Sequence, residues 1–106
     1  MKHYFKVRYN PQIYLDIQKT VDYYRRETGD DKLGIRFVKA INNALKKLRS
    51  TALLYQVRYD DIRFLPIHPF SIVAHFRVDK QKAIVIIEAI FHSSEDPDEW
   101  NSVKNK

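Results

Sequence analysis

Residues 70–92 read Phe-Ser-Ile-Val-Ala-His-Phe-Arg-Val-Asp-Lys-Gln-Lys-Ala-Ile-Val-Ile-Ile-Glu-Ala-Ile-Phe-His. In Phe70–Val78 the even positions, Phe70, Ile72, Ala74, Phe76 and Val78, are all apolar, while the odd ones are Ser71, Val73, His75 and Arg77. From Ala83 the parity reverses: Ala83, Val85, Ile87, Ala89 and Phe91 are apolar, and the even set ends in Glu88, Ile90 and His92. Side chains on a strand alternate faces. The period of two therefore predicts two strands, Phe70–Val78 and Ala83–Phe91, joined by the polar Asp79–Lys82 turn. Each has one wholly apolar side for the core. His75, Arg77, Glu88 and His92 are then expected to share the opposite, uncovered face. Arg63 joins them if Ile62 and Phe64 point to the core.

Working outward, Tyr55–Tyr59 and Ile62–Ile67 also read as strands, with Asp60-Asp61 as their turn and His68-Pro69 as a corner. Before Ser50 the period is helical. Ile13, Ile17, Val21 and Tyr24 form one stripe, and Leu33, Phe37, Ile41, Ala44, Leu45 and Leu48 another. Asn10 is a good N-cap, and Pro11 suits the first helical turn. Gly29 fits a left-handed C-terminal cap, with Asp30 or Asp31 capping the next helix. So short a connection makes an antiparallel helical hairpin. His3–Tyr9 reads as a first strand, and Asp96–Val103 as a short final helix with Pro97 in its first turn. The expectation is one α+β domain over residues 1–106. It has an N-terminal strand, a helical hairpin, then a three- to four-stranded antiparallel sheet with both helices on one face.

Composition narrows the function classes. The 106 residues include no cysteine, which excludes disulfides, thiolate metal sites and a cysteine nucleophile. No apolar leader opens the sequence and no run approaches the roughly 20 residues of a membrane span, so a cytoplasmic protein without membrane contact is expected. The net charge is +6. Residues 1–50 hold 12 Lys and Arg against 5 Asp and Glu, and residues 51–106 hold 7 against 8. A basic half suits a polyanion or an acidic protein segment, although solvated helix faces are equally basic. His3, His68, His75 and His92 lack metal-ligand spacing, no glycine-rich phosphate loop is present, and no serine stands in a nucleophile elbow. Neither metal nor cofactor is expected. Tyr24 lies on the core stripe, so packing explains it better than base stacking.

Several strings, in this order, resemble the RelE/ParE toxin superfamily. They are Tyr14-Leu15-Asp16-Ile17 with Tyr23-Tyr24, Gly34-Ile35-Arg36-Phe37 with Ala44-Leu45 and Leu48, Tyr55-Gln56-Val57-Arg58-Tyr59 with Ile62-Arg63, Pro69-Phe70-Ser71-Ile72-Val73 with Phe76-Arg77-Val78, and Ala89-Ile90-Phe91-His92 before Asp96-Pro97 and Trp100. The resemblance implies a toxin of a type II toxin-antitoxin, or plasmid stabilisation, system. It further implies neutralisation by a cognate antitoxin, with a toxin–antitoxin heterotetramer as one assembly left open.

Two targets follow from the two branches: DNA gyrase, poisoned without catalysis, or messenger RNA cut on the ribosome. A non-catalytic basic RNA-binding module is a third reading. An endoribonuclease needs a base, phosphate-binding cations and an acid. Arg63, Arg77 and His92 are the candidates, with Glu88 and His75 secondary. Against them stands a plain Arg77–Glu88 cross-strand ion pair on a solvated face. His92 is followed by Ser93, not by the tyrosine of nuclease-type members, and Asp96-Pro97 with Trp100 looks more like the ParE branch. For a gyrase-type toxin the target-binding candidates are Lys46, Lys47, Arg58 and Trp100. Lys46 and Lys47 also suit the helix dipole at the end of their helix, a sufficient structural reason for them.

Overall fold

The computed structural model describes residues 4–92. Strand β1 (Lys6–Tyr9) leads into helix α1 (Gln12–Thr28) and helix α2 (Lys32–Thr51). A single 3-10 turn (Ala52–Leu54) then opens the run β2 (Val57–Tyr59), β3 (Ile62–Pro66), β4 (Ile72–Asp79) and β5 (Ile84–His92). The expected final helix, Asp96–Val103, lies outside the described residues. So does the start of the expected first strand at His3.

The helix ends follow the capping signals. Asn10 Oδ1 accepts a hydrogen bond from Gln12 N at 3.0 Å, and Asp30 Oδ1 accepts one from Lys32 N at 2.9 Å. Gly29 sits at φ 79° and donates its N–H to Arg25 O at 2.8 Å, the left-handed stop that permits a tight return. Where the helices cross, Gly34 matters for space. A Cβ there would stand 3.2 Å from Val21 Cγ1.

The four expected antiparallel strands form a meander, but the sheet is five-stranded, in the order β1-β5-β4-β3-β2. β1 pairs in parallel with β5, Lys6 opposite Ile84 and Tyr9 opposite Ile87. The sequence signals for this partner are non-local, so alternation within β1 could not reveal it. Both helices lie on one face of the sheet. There Ile13, Phe37, Ile41, Leu45 and Leu48 pack with Leu65, Ile72, Ala74, Phe76, Val85 and Ile87. Tyr24, Phe37 and Phe70 add an aromatic corner, with centroids 5.4–5.7 Å apart.

The expected alternation fails at one point. His75 pairs with Ala89 while Phe76 pairs with Ile87, so Glu88 is an extra residue on β5. This β-bulge reverses the parity of the strand beyond it. Val85 and Ile87 face the helices, but past Glu88 it is Ile90 that enters the core. Ala89 and Phe91 register with His75 and Val73 on the other face.

Candidate functional site

His75 was expected on an open polar face. It lies on the face away from the helices but is only 1 % exposed. Its ring stacks on Phe64 (4.2 Å between centroids, 20° between planes) and touches Phe91 at 4.7 Å. Tyr59 packs edge-on to both Phe64 and His75, and its hydroxyl lies 3.1 Å from His75 Nδ1. The Arg58 guanidinium caps Phe64 at 4.9 Å, a cation–π contact. The cause is the register: Phe64 stands directly opposite His75, and residues so paired share a face. Burial drives the His75 pKa down to about 4 from 6.5, so the ring is neutral near pH 7. A buried, weakly basic imidazole is poorly suited to the general acid–base work considered for it.

Arg63 is on the opposite side of the sheet. It stands across from Phe76, whose side chain is fully buried beneath the helices. Ile62 and Phe64 therefore do not point to the helix-side core; Leu65 does, and Arg63 shares its side. Arg63 Nη1 donates to Tyr55 O at 2.6 Å and to Leu53 O at 3.4 Å. These carbonyls follow the end of α2 and have no ladder partners. The 3-10 turn explains why β2 begins at Val57 and not at Tyr55. A phosphate clamp combining Arg63 with Arg77 would have to reach through the sheet.

Arg77 and Glu88 form the expected cross-strand pair, Nη2 to Oε2 at 2.8 Å, with Asp61 flanking Arg77 at 3.9 Å. Asn10 Nδ2 reaches Glu88 Oε1 at 3.5 Å, and Asn10 N donates to Ile87 O at 2.9 Å. The bulge is thus tied to the start of α1. Beyond Tyr9, β1 no longer pairs with β5, and Asp16 Oδ2 accepts the Ile90 N–H at 3.3 Å instead. Sequence reasoning missed this role for Asp16. Its place one turn into a helix that follows an edge strand is the signal that could have found it.

His92 ends β5 opposite Ile72. Trp100 lies outside the described residues. Lys46, Lys47 and Arg49 are exposed along the last turns of α2, and Arg58 is exposed on edge strand β2. Another surface went unnoticed in the sequence. A groove of about 470 Å³ between the helices is lined by Val21, Gly34, Ile35 and Val38, with Arg25, Asp31 and Lys39 at its rim. Ile35 is 54 % exposed. It follows the apolar stripe of α2 by sequence type, but on the wrong side of the helix. Among the described residues no group of His, Asp or Glu is placed to hold a metal ion, and no helix is long and apolar enough to cross a membrane.

This geometry has known counterparts. The fold is similar to a chain from the chromosomal ParDE TA (toxin-antitoxin) system of P. aeruginosa, at 20 % identity and TM-score 0.72, covering 85 % of this chain and 97 % of that one. It is also similar to the isolated E. coli RelE toxin, at 13 % identity and TM-score 0.51, covering 96 % and 97 %. At such identities both likenesses speak for the fold alone. No curated protein matches the chain in sequence. Residues 7–97 match the family described as the ParE toxin of type II toxin-antitoxin system, parDE. That match runs from Val7, within β1, past the end of β5 and takes in both helices and, but for Lys6, all five described strands, so the chain belongs to the ParE toxin family of type II toxin-antitoxin systems.

Proposed function

We propose that this toxin arrests growth by binding DNA gyrase in the cytoplasm, without chemistry of its own, and that a cognate antitoxin restrains it. One observation carries the non-catalytic reading: of the polar groups a nuclease would use, Arg63, Arg77 and His75 are committed elsewhere. Arg63 is bound to main-chain carbonyls under the helices, Arg77 is paired with Glu88, and His75 is neutral among aromatic rings. The helical groove supports a protein partner, since apolar side chains such as Ile35 and Val38 exposed beside a charged rim are typical of docking surfaces.

The test is induction in cells, with DNA supercoiling and messenger RNA ends followed side by side. Altered supercoiling with intact messages is expected. Messages cut at defined sites, with cutting abolished by His92→Ala, would replace this reading with the endoribonuclease.

A further inference from the structure

We infer that the 3-10 turn Ala52–Leu54, with the pocket beside it, is the surface that meets the toxin's target, and that it receives an acidic protein segment carrying an apolar side chain. The inference rests on the reading of the chain as a non-catalytic, target-binding toxin, and it names the surface and the chemistry of its partner. The first support is exposure that is held in place. Leu54 is 81 % exposed and Leu53 38 %, with Tyr4 at 59 % and Val57 at 43 %. Single apolar side chains in solvent are ordinary, but two in succession on a pinned turn are not. Ala52 is fully buried, and the Tyr55 ring meets Phe76 edge-on, 5.8 Å between centroids. Between these anchors Arg63 Nη1 donates to Leu53 O and Tyr55 O, and Tyr55 N donates to Ala52 O at 3.4 Å. The backbone is fixed from inside while the leucines are presented outward, so little ordering is left to be done on binding.

The second support is shape. Leu53 forms one wall of a pocket of about 280 Å³, completed by Tyr4, Phe5, Lys80 and Ala83. Apolar walls with one cation suit a single apolar side chain that has a carboxylate for a neighbour. Leucines offer nucleic-acid bases no stacking platform, and a bilayer surface has no side chain to place in a concavity.

The third support is charge. Residues 32–59 hold seven Lys and Arg and no Asp or Glu. Lys46, Lys47 and Arg49 are exposed on the turns of α2 that lead into the 3-10 turn, and Lys80 is exposed on the wall of the pocket. Arg49 O accepts the Phe5 N–H at 2.8 Å, which ties the end of α2 to the pocket. A partner complementary to this end of the molecule is acidic. The 20 residues of α2 run about 30 Å, so a surface at the end of this helix is separate from the groove at its start.

Leu54→Ser and Lys80→Glu test the surface in the full-length protein, beside Leu15→Ser, which alters an exposed apolar residue of α1. All three should unfold at the wild-type urea concentration. Leu54→Ser should bind purified, DNA-free gyrase about tenfold more weakly or worse, the usual cost of truncating an anchoring side chain. Lys80→Glu should weaken binding as well, and Leu15→Ser should bind as the wild type does. In cells, Leu54→Ser should need correspondingly more protein to arrest growth and should still be neutralised by the antitoxin. Growth arrest lost in Leu54→Ser, with no gyrase bound by the wild type, would replace gyrase as the target and keep the surface. Undiminished arrest and gyrase binding by Leu54→Ser overturn the surface and leave gyrase in place. A wild type that arrests no growth takes both down. A still toxic Leu54→Ser that escapes neutralisation makes the antitoxin the occupant, and wild-type binding to phosphatidylglycerol vesicles that Leu54→Ser abolishes makes it a bilayer; either result overturns the inference.

Discussion

At the scale of single residues, two side chains singled out for chemistry turn out to have structural work. His75 is held neutral by burial, with its pKa near 4 instead of 6.5. The unfolded chain therefore takes up a proton at higher pH than the folded one. Stability from this residue is complete above about pH 6.5, falls as the pH drops towards 4, and changes no further below that. The span corresponds to on the order of 3 kcal/mol. A His75→Phe variant keeps a ring in the stack but removes the titration. Its urea midpoint should fall less between pH 7 and pH 4.5 than that of the wild type, and parallel profiles would refute the assignment. Arg63→Ala should cost about 1–3 kcal/mol at any pH in this range, because the Tyr55 carbonyl loses a charged donor. Denaturant titration checks this directly. Any loss of toxicity in that variant should follow the loss of folded protein and not exceed it.

At the scale of elements, the bulge at Glu88 is the feature on which β5 turns. Glu88→Ala keeps the extra residue and removes a partly exposed ion pair and the long, exposed hydrogen bond from Asn10 Nδ2, so a loss of about 1 kcal/mol is expected. Deleting Glu88 removes the extra residue itself. Ala89 then follows Ile87 directly and keeps its place opposite His75, so Ile90 stays in the core, Phe91 stays on the His75 face, and the loss expected is again small, about 1 kcal/mol. Unfolding of the two variants by denaturant checks this: a much larger loss on deletion would show that β5 needs the bend of the bulge as well as its register. The same residue shows where sequence reading stops. Both helices, their caps and the four-strand meander were legible, because period, Asn10-Pro11 and Gly29 are local signals. The uncovered polar face was not. One inserted residue reverses parity, and nothing in Ile86-Ile87-Glu88-Ala89-Ile90 marks which residue will be extra. Arg63 was misplaced for a related reason: Ile-Arg-Phe-Leu has an apolar residue for either face, and only pairing with Phe76 chooses.

At the scale of the whole molecule, the remaining question is which surface meets the target. A catalytic site needs one point where a base, an acid and a cation converge. Here the candidate arginines occupy opposite faces of the sheet, and Arg77 already has carboxylate partners. A binding surface needs only complementary shape and charge, which the exposed Lys46, Lys47 and Arg49 at the end of α2 can supply. The two mechanisms separate when variants are read together. For a non-catalytic toxin, His92→Ala should leave growth arrest intact, since no proton transfer is involved. Lys46→Glu combined with Lys47→Glu should weaken target binding while leaving the fold unchanged, because both side chains are exposed and contribute to no core contact. If phosphates are contacted, the same pair should also flatten the salt dependence of binding by nearly one logarithmic unit per lost contact. An unchanged slope with weaker binding would locate the contact on protein. A nuclease predicts the reverse pattern: His92→Ala would lower the rate about 10²–10⁴-fold, the usual share of one general acid or base, whereas the lysine pair would act on affinity alone. Growth arrest lost in His92→Ala at wild-type stability would therefore end the gyrase reading, whatever the lysines do.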